Sequence, residues 1–95
     1  MKILVHKKVD KDAEKMPESI KALVAENLTA LMKAENLSEL KNVIPVEGTD
    51  EPYYRMKIRT YRLLIEYIKE TKTVKVHALT HRKDTYKKEN LPWRK

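Results

Sequence analysis

Residues 53–86 read YYRMKIRTYRLLIEYIKETKTVKVHALTHRKDTY, and the alternation inside this stretch decides the fold. Its first segment, Tyr53–Arg59, sets Tyr53, Arg55, Lys57 and Arg59 on one side and Tyr54, Met56 and Ile58 on the other. A strand with that pattern has one cationic face and one apolar face. Two further strands are predicted at Tyr61–Ile68 and Thr73–Thr80. The gap before Tyr61 admits only a tight hairpin, and KETK before Thr73 makes a short loop without glycine. Short consecutive connections of this kind make an antiparallel meander. The middle strand is apolar on both sides, through Leu63 and Ile65 and through Leu64 and Ile68, as suits a central strand. The stretch closes on His81, Arg82 and Tyr86, a second polar group that is expected to meet the cationic strand and form a phosphate-binding site.

Working outward, residues 2–9 alternate weakly and predict an opening strand, with Ile3, Val5 and Val9 opposed to Leu4. His6, among lysines, reads as a surface or packing residue. Asp10 is placed to cap a short helix over DKDAEK, and Pro17 restarts the helix. Beyond it Ile20, Leu23, Val24, Leu28, Leu31 and Met32 follow helical spacing, with Lys21, Glu26 and Lys33 outside. That stripe is expected to pack on the apolar face of the sheet. Between Leu37 and Gly48 periodicity is lost, and Asn36, Asn42 and Pro45 mark a connection with a helical turn at SELK. The chain's single glycine, Gly48, is expected at positive φ. After Tyr86 a helical turn is expected to stop at Pro92, with Trp93 used in packing or a partner contact.

The 95 residues suit a single domain spanning 1–95, and 37% charged residues leave room for a thin core. With no cysteine, disulfides, thiolate nucleophiles and thiolate metal sites are excluded. Apolar runs are too short for a membrane span, and the first residues lack a signal-peptide core, so a cytoplasmic protein is expected. The net charge of +7 is unevenly placed. Residues 1–52 hold 8 Lys and Arg against 10 Asp and Glu, whereas residues 53–95 hold 13 against 4. A basic half of this kind points to a polyanionic partner.

One glycine rules out a glycine-rich phosphate loop, and the three histidines have no carboxylate cluster at ligand spacing, so neither cofactor nor metal is expected. Ser19 and Ser38 lack a nucleophile context. A cationic set without metal remains: Arg55, Lys57, Arg59, Arg62 and Arg82, with Tyr86 and the histidines. These types suit phosphoryl chemistry on RNA, where the substrate's own 2′-hydroxyl attacks. Such a site needs a proton acceptor, donors to the phosphorane and a donor to the leaving 5′-oxygen.

The order Tyr-Arg-Met-Lys-Ile-Arg, then Tyr61-Arg62-Leu-Leu-Ile-Glu-Tyr67, then a Val-x-Val strand entering His81-Arg82-x-Asp84-x-Tyr86, resembles the RelE/ParE superfamily of toxin–antitoxin toxins, the RelE-like branch above all. The K-x-M-P-x-x-I helix restart and the lysine-rich first strand extend the resemblance over nearly the whole chain. It implies an α+β fold, a small twisted antiparallel sheet with two N-terminal helices on one face, in the order strand-helix-helix-strand-strand-strand. It further implies a ribosome-dependent endoribonuclease that cleaves mRNA, and a cognate antitoxin that silences it in a hetero-oligomeric complex.

On that resemblance Lys57, Arg62, His81, Arg82 and Tyr86 are the catalytic candidates, and Arg55, Arg59, Lys83 and Lys87 the RNA-binding ones. Lys57 would accept the 2′-hydroxyl proton, Arg62 would stabilise the phosphorane and Tyr86 would stack on a base. The donor to the leaving oxygen stays open between Arg82 and His81, because arginine gives up a proton reluctantly. Arg55 stands where lysine is usual in the best-known branch, which concentrates the base role on Lys57 or His81. The alternative reading of Arg62 is a pairing with Glu66 on its own face. The alternative activity is that of a ParE-like toxin, a non-catalytic inhibitor of gyrase or topoisomerase, which would not require the filled set Lys57, Arg62, Arg82 and Tyr86.

Overall fold

The computed structural model describes residues 1–46 and 52–84. Its elements are β1 (Lys2–Val5), α1 (Lys7–Glu14), α2 (Glu18–Lys33), a 3-10 turn at Leu37–Glu39, β2 (Val43–Pro45), β3 (Tyr53–Ile58), β4 (Tyr61–Ile68) and β5 (Thr73–His81). The strands make one sheet in the order β1-β5-β4-β3-β2. The α+β class and the strand-helix-helix-strand order are those expected. Two details differ: β1 lies parallel to β5, and β2 is an additional short strand on β3. The helices and the β2–β4 segment supply the long crossover that a parallel pair needs. β2 escapes notice because three residues ending in proline carry no periodicity, and proline is tolerated on an edge.

The opening strand is shorter than expected, because the chain turns helical at Lys7. His6 caps that helix, its Nδ1 accepting from the Lys8 N–H at 3.0 Å. Asp10 lies inside the first turn, so the expected Asp10 cap is replaced by a histidine cap with the acidic residue still at the positive end of the dipole. Where β1 ends, α1 takes over the edge of β5: Asp12 Oδ2 accepts from the Leu79 N–H at 3.4 Å. In α2 Pro17 is the cap, with Glu18 in the first turn and Lys33 in the last. Ile20, Val24 and Leu31 are buried and Leu23 and Leu28 partly so, but Met32 is 61% exposed, one position off the buried stripe.

One face of the sheet carries Met56, Ile58, Leu63, Ile65, Val74, Val76 and Leu79 against Val9 of α1 and Ile20, Val24 and Leu31 of α2. Tyr54, Tyr61 and Tyr67 pack at its margin. Each such aliphatic side chain, once fully buried, contributes about 1.5–3 kcal/mol of transfer free energy. Leu63, Leu64 and Ile65 are all 0% exposed, which confirms β4 as the central strand. On the opposite face Leu64 and Ala78 join Val46 and Tyr53 in a second, smaller cluster, and among the described residues no helix covers it.

A bulge interrupts the β4–β5 ladder. Leu64 pairs with Ala78 but Ile65 with Val76, so His77 is an extra residue on β5. The two turns each hold a non-glycine residue at positive φ, Arg59 at 56° and Lys72 at 48°. No helix among the described residues is long and apolar enough to cross a membrane.

Candidate functional site

The register of β3 on β4 sets Lys57 opposite Arg62, Arg55 opposite Leu64 and Tyr53 opposite Glu66. Because side chains alternate, these residues share the face away from the helices, while Met56 and Ile58 enter the core. Lys57 is exposed; Arg55 and Arg62 are half-buried, with the Arg55 Nε buried. Three cations therefore stand side by side on two paired strands.

Arg59 does not continue the alternation. With Thr60 it forms the two-residue hairpin turn, and its left-handed backbone takes it off the strand. Arg62 bends back to secure that turn, its Nη1 donating to the Arg59 carbonyl at 2.7 Å and the Tyr61 carbonyl at 2.8 Å. The Arg62–Glu66 pairing considered from sequence does not form. Glu66 is instead held by His77, whose Nε2 lies 2.9 Å from Glu66 Oε1. The bulge explains the exchange, since it turns His77 onto the Glu66 face beside Tyr53, with ring centroids 6.3 Å apart. Burial, and then the Glu66 carboxylate, raise the pKa of Tyr53 above its ordinary 10.0.

The end of β5 comes back to the same hairpin. The Arg82 N–H donates to the Thr60 carbonyl at 2.7 Å, which brings Arg82 to the turn that joins the Lys57 and Arg62 strands. Both Arg82 and Lys83 are exposed. His81 faces the other way: it pairs with Tyr61, and the rings meet edge-on at 5.6 Å on the core side of the sheet. Its Nδ1 accepts from the Lys83 N–H at 3.3 Å. The structure thus joins Arg82 to the cationic hairpin and sets His81 on the opposite face from Lys57 and Arg62. His77 and His81, four residues apart and so on one face of a regular strand, are set on opposite faces by the bulge. Tyr86, Lys87, Pro92 and Trp93, like Gly48, lie outside the described residues.

Two features had no clear signal in the sequence. One is the Glu66–His77–Tyr53 group, which depends on an unpatterned bulge. The other is an asparagine bridge from α2 to β3. Asn27 occupies a helical position between Val24 and Leu31, and its Oδ1 accepts from Asn42 Nδ2 at 2.8 Å. A polar residue on an otherwise apolar stripe was the available clue. Elsewhere, a hollow of about 410 Å³ is lined by Tyr54, Glu66, Tyr67 and Glu70 and by none of the expected site residues. The cationic group lies on an open surface, with Lys57, Arg82 and Lys83 exposed.

The same fold occurs in solved toxin–antitoxin structures. The archaeal RelE-RelB complex from Pyrococcus horikoshii OT3 contains a chain 26% identical, aligned over 85% of this chain and 93% of that one with a TM-score of 0.72. The RelB-RelE antitoxin-toxin complex from Methanococcus jannaschii gives 25% identity, 88% and 95% coverage and a TM-score of 0.73. The chain is RelE-like. A third RelE-like match is the RelBE2 complex from Mycobacterium tuberculosis, at 26% identity, 85% and 96% coverage and a TM-score of 0.63. No protein-family profile matches the chain, and no curated protein matches it in sequence. The likeness to RelE is therefore carried by the arrangement of elements over nearly the full length of both chains.

Proposed function

We propose that this RelE-like chain is the toxin of a toxin–antitoxin module and acts as a ribosome-dependent endoribonuclease on mRNA. The observation that carries the proposal is the convergence of Lys57, Arg62 and Arg82 on one hairpin of a RelE-like fold. In the reaction the 2′-oxygen attacks the adjacent phosphorus, its proton passes to Lys57, and the P–O5′ bond breaks. Arg62, its guanidinium oriented by the two turn carbonyls, offers charge to the phosphorane oxygens. Arg82, in preference to His81, neutralises the charge on the leaving 5′-oxygen, which takes its proton from water, because His81 faces the core side against Tyr61. Arg55, together with Lys83 and Lys87, holds flanking phosphates, and Tyr86 stacks on a base.

A cognate antitoxin is the proposed protein partner, on the ground that the similar chains come from RelE-RelB complexes. The ribosomal substrate places the activity in the cytoplasm. No metal or cofactor is assigned a role. The test is primer-extension mapping of transcripts after induction of the chain, beside a supercoiling assay with gyrase. Discrete cuts within translated regions that vanish with Arg82→Ala support the nuclease. Intact transcripts with blocked supercoiling would move the assignment to a ParE-like inhibitor.

A further inference from the structure

Lys57 sits on the edge of β3 where β2 runs out, so its outward N–H and C=O have no strand to pair with. Asn42, the residue before β2, satisfies both. The Lys57 N–H donates to the Asn42 carbonyl at 2.9 Å, and Asn42 Nδ2 donates to the Lys57 carbonyl at 2.9 Å. The same Nδ2 reaches Asn27 Oδ1 at 2.8 Å, and Asn27 Nδ2 donates to the Leu23 carbonyl, one helical turn back, at 2.7 Å. A continuous chain of hydrogen bonds therefore runs from the backbone of α2, through two amide side chains, to the carbonyl of Lys57, while the main-chain carbonyl of Asn42 takes the Lys57 N–H. Lys57 is the one lysine of β3, and it stands opposite Arg62.

An orphaned strand edge is ordinarily satisfied by water, which leaves the backbone free to fray. Here the N–H is met by the backbone carbonyl of Asn42, and the C=O by the Asn42 side chain, which is anchored in the helix layer. Two primary amides suit the task, because each offers both a donor and an acceptor and neither carries a charge that would disturb the neighbouring cations. Asn42 also does what a continued β2 strand would do, without placing another side chain beside Lys57.

We infer that Asn42, held in place by Asn27, is a positioning residue that fixes the main chain at Lys57 and so aims its side-chain amine nitrogen at the reacting ribose. The inference rests on the proposed role of Lys57 in RNA cleavage. Asn42 itself touches no substrate. Its contribution is to hold the base near its attack geometry, where a displacement of about 1 Å can cost roughly 10²-fold in rate.

The experiment is single-turnover cleavage of mRNA on programmed ribosomes over a range of chain concentrations. Asn42→Ala lowers the maximal rate by roughly 10- to 100-fold and leaves the half-saturating concentration within about twofold. In a Lys57→Ala background Asn42→Ala gives no further loss; independent, multiplying losses would overturn the inference. Asn27→Ala also slows cleavage, and Asn27→Asp, which keeps the acceptor for Asn42, recovers most of that loss. Equal rates for the two Asn27 variants would count against it.

Amide exchange supplies a readout that does not depend on cleavage. In Asn42→Ala the main-chain carbonyl that accepts from the Lys57 N–H is kept, but loss of both Nδ2 bonds releases that segment from α2 and from the Lys57 carbonyl, so the Lys57 amide exchanges faster while the β4–β5 ladder is unchanged; an unchanged Lys57 amide overturns the clasp. A parent chain that cuts no RNA, but whose Lys57 amide responds in this way, would sink the nuclease reading and leave the clasp standing. Full cleavage by Lys57→Ala would remove both the base assignment and the positioning role built on it.

Discussion

The two faces of the sheet are made by the same strands, yet they are put to different uses. On the helix side Met56, Leu63, Ile65, Val74 and Val76 are essentially inaccessible and fit α1 and α2. On the other side a small apolar group, Val46, Leu64 and Ala78 with Tyr53, is surrounded by Arg55, Lys57, Arg62, Glu66 and His77. A period of two thus separates the residues that make the fold stable from those that hold charge at its surface. The price of a substitution should therefore depend on its parity along the strand more than on its distance along the chain.

The largest effect expected is on activity. Lys57→Ala should reduce RNA cleavage by roughly 10²–10⁴-fold, the usual contribution of a general base, while urea unfolding shifts by less than about 0.5 kcal/mol, as for an exposed residue. A stability loss comparable with that of a core variant would erase the distinction between the faces. On the helix side Ile65→Ala should cost about 2–5 kcal/mol, read from the urea midpoint at constant m. A loss below about 1 kcal/mol would mean that this side is loosely packed.

Lys72→Gly addresses the turn remote from the cationic hairpin. At φ 48° glycine avoids the side-chain clash that lysine accepts, so the melting point should rise, by an amount corresponding to about 0.5–1 kcal/mol. Cleavage should not change. A slower rate in this variant would show that the two ends of the sheet are coupled.

The smallest effect belongs to Tyr53. Its pKa is raised in the folded chain, first by burial and then by Glu66, so the folded state holds the phenolic proton more tightly than the unfolded state does. The associated stability is fully present below the unfolded value of 10.0 and is lost as pH rises past it through the higher folded value. Tyr53→Phe should flatten that alkaline decline, measured by denaturant unfolding between about pH 9 and 11. An unaltered slope would remove Tyr53 as its source.

The sheet was legible because Tyr53–Ile58 alternates cleanly and Tyr61–Ile68 is apolar throughout, a combination only a half-covered and then a central strand satisfies. The helix at Glu18–Lys33 announced itself by spacing and by Pro17. What escaped were features set by tertiary partners. β2 is a strand only because β3 offers an edge to Val43–Pro45. His6 became a cap because β1 must stop where α1 takes over beside β5, which no local pattern states.

The site divides in the same way. Arg55, Lys57 and Arg62 follow from alternation and register. Arg59 was misplaced because a two-residue hairpin imposes a left-handed backbone on whichever residue stands there. The opposed directions of His77 and His81 hinge on one unpaired residue in the ladder, and a bulge leaves no compositional trace.

The parallel pairing of β1 with β5 joins Lys2 to Thr73 and Val5 to Val76, spans of about seventy residues in each case. Contacts of such long range must form against the entropy of closing nearly the whole loop, and they slow the search for the native state. During synthesis β1, α1 and α2 emerge first and have no sheet to rest on until β4 and β5 have followed. The protein's architecture thus delays completion of its core until β5 exists, and only then does Arg82 reach the hairpin bearing Lys57 and Arg62.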